Sequence, residues 1–419
     1  MNKPSEVLPR SIWFLSAGLM SVGAGQSLVF ITVPPAARDL GLSELQIGLI
    51  FASSAIAWML FSPIWGRLSD SIGRKKIVLI GLFGFALSLC LFSATINLGI
   101  NGIISGVILL ILLIISRMIN GLLGSATRPA SGGWIADITS SSQRSRAFAR
   151  LDSGFSLGRL IGPGIASFLL LISYTFPFYL FALLAILIGI TIFFIPEKIS
   201  IKPMIKKKKT LSILDAKVFP FVLVAGCFGI CNASLVQISS FYYQDIIVPN
   251  SDDFIFFSSL GFMVTALGFL LGQLLIADKL GVSPGSLIRT GLLLVGCSLF
   301  LIFIARDVNL MYFALLFYGV GAGMIGPGIA GSFSLSVGKD KQGEASGLLS
   351  MVIPIGHIIS PIITMPLYQL NNSAPFLLNS FMVVVVLFFV QFNKHHKWIR
   401  DKNYRIDELD LIDQPIREE

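Results

Sequence analysis

Twelve apolar stretches, each about as long as a bilayer is thick, follow one another along this chain. A membrane-spanning helix needs about 20 apolar residues, and runs such as Gly102–Ser116 and Phe376–Val390 carry no charge at all. Such stretches fold as helices because lipid offers no hydrogen-bond partner to an open backbone. The sequence therefore predicts an all-α polytopic membrane protein. Its predicted spans are 11–34, 45–66, 76–97, 104–136, 147–171, 175–195, 218–243, 255–277, 285–305, 309–337, 343–369 and 374–393.

The composition supports the same class. Only 13% of the 419 residues are charged, 54% are hydrophobic, and the mean hydropathy is +0.84. A water-soluble chain carries about 25% charged residues. A soluble globular class is therefore excluded.

The net charge of +9 reports topology rather than an acidic partner. If both termini lie on one side of the membrane, every second loop lies on that side too. All but five of the 31 Lys and Arg fall in these loops or at the termini. Because basic loops remain cytoplasmic, we expect cytoplasmic termini, a location in the cell inner (plasma) membrane, and lipid rather than nucleic acid as the partner. The five exceptions are Arg38 and Arg306 on the opposite side, and Arg117, Arg128 and Arg159 inside spans.

A polar segment at 196–217, PEKISIKPMIKKKKTLSILDAK, divides the chain into two six-span halves that repeat. We expect an N-terminal half (1–196), a cytoplasmic linker (197–217), a C-terminal half (218–393) and a cytoplasmic tail (394–419). Two parallel halves around one cavity are typical of transporters. Gly121, Pro129, Gly158 and Pro163 recur 198 residues later as Gly319, Pro327, Gly356 and Pro361, Asp70 and Gly73 recur as Asp278 and Gly281, and Arg159 corresponds to His357.

The loop between the second and third spans reads GRLSDSIGRKK (66–76). Its glycines allow tight turns and close helix approach, and its aspartate lies at a helix end. The spacing Gly-x-x-x-Asp-x-x-Gly-Arg-Lys resembles the loop signature of the major facilitator superfamily, and the twelve spans in two halves extend the resemblance over nearly the whole chain. The resemblance implies a conformational latch, with fold-stabilising ion pairing as the alternative. The latch would comprise Gly66, Asp70, Gly73, Arg74 and an acidic partner of Arg74, Asp137.

Two further stretches resemble the drug:proton antiporters of that superfamily. RMINGLLG (117–124) resembles their fourth-helix motif, in which an arginine, here Arg117, is implicated in proton coupling. Gly158, Gly162 and Pro163 resemble their fifth-helix Gly-x-x-x-Gly-Pro motif, whose small residues let helices pack closely. The motif ends in Gly-Gly, and Ala166-Ser167 stand there in this chain. A purely structural role is the alternative for Arg117.

The first span departs from the family pattern. Many members carry an acidic residue there that takes the proton, whereas this span offers only Gln26. Asp152 is the only carboxylate well inside a predicted span, and Glu344 stands at the start of the eleventh. We therefore expect proton coupling to involve Asp152, Glu344 or Arg117.

The charges inside the fourth and fifth spans suggest the substrate. Asp152 and Arg159 are seven residues apart and share a helix face, as do Arg117 and Arg128 at eleven residues. Arg128 and Asp152 fall at similar depth and could pair, which leaves Arg159 near the midplane without a carboxylate. Such a cation needs water or an anionic ligand, unless it snorkels or binds helix-end carbonyls. The candidate substrate-binding residues are Arg159, His357, Arg128 and Gln26.

These features predict a secondary active transporter, most simply a proton-coupled exporter of a small anionic compound such as a carboxylate or siderophore. The alternatives are an efflux pump for lipophilic drugs or antibiotics, a metabolite importer, or a transport-inactive receptor or scaffold. The chain shows no nucleotide-binding loop and is not expected to be an enzyme. We expect no cofactor or metal ion, and a monomer.

Overall fold

The computed structural model describes residues 10–139, 141–170, 172–196, 215, 218–249, 253–273, 282–336 and 342–392. Almost all of these residues are helical, and no strand occurs among them. The helices are α1 (Arg10–Asp39), α2 (Glu44–Ile72), α3 (Arg74–Ile100), α4 (Gly106–Leu123), α5 (Thr127–Ile138), α6 (Ser141–Leu170), α7 (Phe176–Phe193), α8 (Phe219–Tyr242), α9 (Phe254–Leu270), α10 (Pro284–Ile304), α11 (Val308–Ser336), α12 (Gln342–Leu370) and α13 (Ala374–Phe392).

Ten helical segments are long and apolar enough to cross a membrane, with α4 and α5 forming one span, Gly106–Ile138. The remaining two long helices, α6 and α12, take the fifth and eleventh places in the series and carry Arg159 and His357. The predicted all-α membrane fold is thus confirmed. The tail from 394 onward and the linker apart from Asp215 lie outside the described residues, as do Asp278 and Gly281.

Local chemistry sets the ends of α2. Ser43 caps its first turn, since the Gln46 amide donates to Ser43 Oγ and the Gln46 side chain accepts from the Ser43 amide. The helix continues to Ile72, so most of the loop motif is helical, and Gly73 alone separates α2 from α3. Its φ of +112° is open mainly to glycine. We call the end of the bundle where α1 ends and α2 begins the outer end, and the opposite end, which includes Gly73, the inner end.

The two halves pack in the same way. In the first half α1 lies on α6, α2 on α4 and α3 on α7, and in the second α8 lies on α12, α9 on α11 and α10 on α13. Repeated glycines make equivalent contacts, because Gly121 packs on the Ser54 carbonyl of α2 and Gly319 on the Thr265 carbonyl of α9. The halves meet where α2 packs on α12 and α6 on α9. The two contacts are equivalent, because in the repeat α2 corresponds to α9 and α12 corresponds to α6.

Two glycines of the predicted fifth-helix motif allow α6 to approach α1 closely. A Cβ added at Gly158 would collide with the Met20 carbonyl oxygen, and one at Gly162 would lie 2.6 Å from the Ala24 carbonyl oxygen. The side chain of Pro163 is not among those described. The hydrophobic effect does not drive helices together in lipid, so small residues of this kind stabilise the helix pair by allowing close van der Waals packing.

We expect Gly158→Ala to destabilise the folded protein by about 1–3 kcal/mol, because backbone cannot move aside as a flexible side chain can. Thermal unfolding in detergent should show a lower melting temperature. Gly326→Ala is the matched control, since a Cβ at Gly326 meets nothing within 4 Å. Equal melting temperatures for the two variants would contradict the close-approach role of Gly158.

The fourth span is not one continuous α-helix. Gly124–Ala126 form a 3₁₀ turn between α4 and α5, and three residues at 120° rather than 100° each add about 60° of rotation. The expectation that Arg117 and Arg128 share a face is therefore wrong. Arg117 is buried with its guanidinium 6.0 Å from the Phe92 ring of α3, whereas Arg128 is exposed and lies 5.3 Å from the Phe155 ring of α6.

Candidate functional site

A cluster of charged and aromatic side chains lies between the two halves at mid-depth. Arg159 precedes the outer end of α6, Leu170, by eleven residues, or about 16 Å of helix. That places it near the centre of a hydrocarbon core about 30 Å thick. Its electrostatic neighbours come from both halves, Arg128 of α5, Tyr318 of α11 and His357 of α12.

The side chain of Arg159 is exposed despite this central position. Because helices of both halves surround it, its accessible surface opens into an internal cavity and not onto lipid. Its backbone carbonyl accepts a hydrogen bond from Ser27 Oγ of α1 at 3.1 Å. Among the described residues, none accepts a hydrogen bond from its guanidinium. An interior cation in this setting requires water or an anionic ligand.

Arg128 adds a second positive charge to the same cavity. It is exposed, it lies over the Phe155 ring, and it interacts electrostatically with Arg159. The predicted pairing of Arg128 with Asp152 concerns a side chain outside the described set, as does the predicted proton site at Glu344.

Aromatic rings also belong to the cluster. His357 stacks on Phe30 of α1 with ring centroids 5.7 Å apart and planes 21° apart, and Phe30 also contacts Phe51 of α2 at 5.0 Å. Gln26 is half-buried one helical turn before Phe30. The structure thus brings the repeat partners Arg159 and His357 together across the boundary between the halves.

Tyr318 and Phe30 were not among the candidates from sequence. Tyr318 is fully buried in α11, and its hydroxyl, although near Asn232 of α8, forms no hydrogen bond with a described residue. A buried hydroxyl without a partner is costly, and this one lies close to a guanidinium. Tyr318 directly precedes Gly319, the repeat partner of Gly121, so the repeat alignment could have drawn attention to this position.

Arg117 occupies a separate site. Its side chain is buried, and its Nε and Nη1 have no hydrogen-bond partner among the described residues. One turn later, Asn120 donates to Ser54 Oγ of α2 at 3.1 Å. The ring beside the Arg117 guanidinium belongs to Phe92 of α3, whereas the electrostatic neighbours of Arg159 lie in α5, α11 and α12.

The loop residues form a network at the inner end of the first half. Arg74 Nε donates to Asp137 Oδ2 of α5 at 3.1 Å, Nη1 donates to Ser69 Oγ at 2.6 Å, and the guanidinium also pairs with Asp70. The side chain of Asp137 is 9% exposed and that of Asp70 is 47% exposed. Arg74 also lies directly against Gly133, where a Cβ would overlap its guanidinium.

The first glycine of the loop motif does not have the packing role expected from sequence. A Cβ at Gly66 would meet the Pro129 Cβ at 3.6 Å, an ordinary contact, so close helix approach does not require glycine there. Lys75 holds the inner end of α7, because its Nζ donates to the Ile195 carbonyl at 2.8 Å. The described contacts of the loop therefore lie within the first half.

Comparison with known proteins agrees with this architecture. The model of the Major Facilitator Superfamily matches residues 15–361, and a second match covers residues 256–404. The chain is 28% identical to the quinolone resistance protein NorA of Staphylococcus aureus (strain COL) over 95% of this chain and 98% of that one. It is 29% identical to multidrug resistance protein 1 of Bacillus subtilis (strain 168) over 87% and 92%. A bacterial homolog of the human lysosomal transporter Spinster superimposes with a TM-score of 0.70 at 14% identity, covering 93% of this chain and 97% of that one.

Proposed function

This chain belongs to the major facilitator superfamily, and we propose that it exports small aromatic compounds that carry an anionic group. Membrane transport by this fold requires that one central cavity be presented alternately to the two sides. The cavity around Arg159 has the position that such a substrate site needs.

The exposure of Arg159 at mid-depth between the two halves is the observation that carries the proposal. It presents planar donors to a cavity, and a guanidinium binds a carboxylate through two parallel hydrogen bonds. Arg128 adds positive charge, and the Tyr318 hydroxyl is a further donor from the other half. A carboxylate bound here would accept hydrogen bonds from the Arg159 guanidinium and the Tyr318 hydroxyl, for which the described residues offer no acceptor.

The neighbouring rings favour an aromatic body for the substrate. Phe155 lies 5.3 Å from the Arg128 guanidinium, and Phe30 stacks on His357. Aromatic rings near the charged groups can bind the ring system of a substrate by offset stacking. A quinolone, the class named for the Staphylococcus relative, combines a flat ring system with a carboxylate and fits this description.

We propose a proton gradient as the energy source, with Asp152, Glu344 or Arg117 in the coupling, cytoplasmic termini, and the plasma membrane as the location. The similarity to an antiporter motif at Gly158 and Gly162 supports export rather than import. A polycarboxylate of the siderophore type is a second anionic substrate that the same charges would accept.

Efflux of lipophilic drugs is a second candidate function. It is favoured by the similarity to multidrug resistance protein 1 of Bacillus subtilis and by the rings just described, because aromatic rings can stack on uncharged aromatic compounds as well. The two functions differ in whether transport depends on an anionic group.

Everted membrane vesicles that contain the protein test the proposal. We expect them to accumulate a quinolone carboxylate faster than its methyl ester and faster than a lipophilic cation dye, with accumulation lost when an uncoupler removes the proton gradient. Vesicles without the protein give the background. Preference for the ester or the cation would favour general drug efflux, and accumulation only in right-side-out vesicles would indicate import.

A further inference from the structure

A group of polar side chains joins the two halves at the outer end of the bundle. Arg38, near the end of α1, binds Asp245, which lies in the π-helical turn Tyr243–Ile247 that continues α8. Two hydrogen bonds join them, Nη1 to Oδ1 at 2.6 Å and Nη2 to Oδ2 at 2.9 Å. Arg38 Nη1 also donates to Gln244 Oε1 at 2.8 Å, and its guanidinium lies 4.5 Å from the Phe241 ring. One N-terminal residue is thus bound by three C-terminal ones.

The same group extends to α2 and α12. Glu44, the first residue of α2, accepts a hydrogen bond from Arg38 at 2.8 Å and one from Gln369 of α12 at 3.0 Å. Asp245 accepts another from the Tyr368 hydroxyl at 2.7 Å. The contacts therefore connect α1 and α2 of the first half with α8 and α12 of the second.

Helix packing closes the same region. A Cβ at Gly48, one turn into α2, would meet Pro361 and Met365 of α12. The helices are as close there as a glycine allows. Together with the polar group, this contact holds the outer ends of the two halves against each other.

The exposure of the ionic groups suits a contact that opens and closes. The side chains of Arg38, Glu44 and Asp245 are 23%, 20% and 24% exposed. Separating a fully buried ion pair costs a large free energy because it leaves buried charges without partners. A fully exposed ion pair contributes little to the stability of the closed contact. These groups remain near water, which can replace each partner when the halves separate.

Arg306 shows that an arginine on this side need not join the halves. It is the other basic residue that the sequence places outside, and its Nη1 donates to the Tyr242 hydroxyl at 2.9 Å and to the carbonyls of Phe303 and Ala305. All three acceptors belong to the C-terminal half. Of these two arginines, Arg38 is therefore the one whose described contacts cross between the halves.

We propose that Arg38, Glu44, Asp245, Tyr368 and Gln369 form the outer gate of the transport cavity, and that the structure shows this gate closed. Opening requires these contacts to break together, because alternating access separates the halves at one end while they approach at the other. The proposal depends on the transporter fold and not on the identity of the substrate.

Distances between spin labels on the two halves test the gate without a substrate. Labels would be attached at Leu45 and Leu370, which are exposed at the outer ends of α2 and α12, after replacement of the four native cysteines. We expect a short distance in the parent protein. In Arg38→Gln and in Asp245→Asn, a longer distance should become the major population.

Two variants serve as matched controls. Asp39→Asn removes a neighbouring carboxylate whose described partner, Tyr174, belongs to the same half. Burial, and secondly the charge of Asp39, raises the pKa of Tyr174 to about 12. Arg306→Gln removes the other outer arginine. Both should keep the short distance, and the exchange Arg38→Asp with Asp245→Arg should restore it. An unchanged distance in both charge-removing variants, or equal lengthening in the controls, overturns the gate.

A cross-link provides a second test that does not depend on charge. In the same cysteine-free background, Glu44→Cys with Gln369→Cys places one thiol on each half, at positions whose native side chains meet in a hydrogen bond. A short bifunctional thiosulfonate reagent can join the two thiols through reducible disulfides. We expect it to stop transport in the vesicle assay and reductant to restore transport. Undiminished transport by the cross-linked protein would show that the outer ends need not separate. Loss of transport with unaltered label distances in the charge variants would assign gating to the helix contact at Gly48 instead.

Discussion

Arg159→Gln is expected to reduce export of an aromatic carboxylate by about a hundredfold. A hydrogen bond to a charged group contributes about 1.5–3 kcal/mol, and each 1.4 kcal/mol changes affinity about tenfold. Glutamine removes both the charge and the planar pair of donors. Concentration dependence of uptake by everted vesicles measures the effect, which should appear mainly as weaker apparent affinity.

Two milder variants separate charge from geometry. Arg159→Lys keeps the charge but loses the bidentate contact, and it should lower the apparent affinity for the carboxylate about tenfold. Tyr318→Phe should lower this affinity by a smaller factor and leave export of the methyl ester unchanged. Arg150→Gln is the control, because Arg150 lies on the same helix but stacks on Trp13 at 3.4 Å. Normal carboxylate export by both Arg159 variants would leave Arg159 a structural residue.

Asp70→Asn is expected to lower transport at least tenfold while leaving the melting temperature nearly unchanged. The side chain of Asp70 is 47% exposed, and an exposed ion pair contributes about 1 kcal/mol or less to stability. A large loss of transport would therefore reflect the conformational switch rather than folding. Vesicle uptake and thermal unfolding of the same preparation decide between the two.

Asp137→Asn provides the contrast, because Asp137 is less exposed and accepts from Arg74. Its loss should cost about 1–3 kcal/mol of stability as well as transport. Gly133→Ala changes no charge but displaces the Arg74 guanidinium, and it should resemble Asp137→Asn, whereas Gly66→Ala should be tolerated. Wild-type transport by Asp70→Asn would show that Asp70 is an ordinary surface residue with no role in the conformational switch.

The fold was predictable because apolar length and charge asymmetry are properties of the sequence itself. Twelve runs of about 20 apolar residues specify twelve helices whatever their arrangement. The repeat at 198 residues added long-range information, since it related Arg159 to His357 before any contact was known. The loop signature likewise suggested Asp137 as the partner of Arg74, and the structure forms that pair.

Other features could not be read from spacing. Helical periodicity assumes an unbroken helix, so the rotation at Gly124–Ala126 was missed, and with it the different surroundings of Arg117 and Arg128. The contact of Arg38 with Asp245 joins residues 207 positions apart in opposite halves. No periodicity links them, and both lie near span ends, where charged residues are ordinary. Only the relative placement of the halves reveals the contact.

The 3₁₀ turn in the fourth span also has a mechanical consequence. Beyond it, α5 is a twelve-residue rod (Thr127–Ile138) with Arg128 in the cavity at one end and Asp137 against Arg74 at the other. A rod of this length acts as a lever: from the turn to Asp137 is about 16 Å, so a tilt of about 10° moves the Asp137 backbone by about 3 Å. That displacement equals the length of the hydrogen bond from Arg74 to Asp137, 3.1 Å. A small change in angle at the cavity end is thus geometrically sufficient to break a contact at the inner end of the bundle.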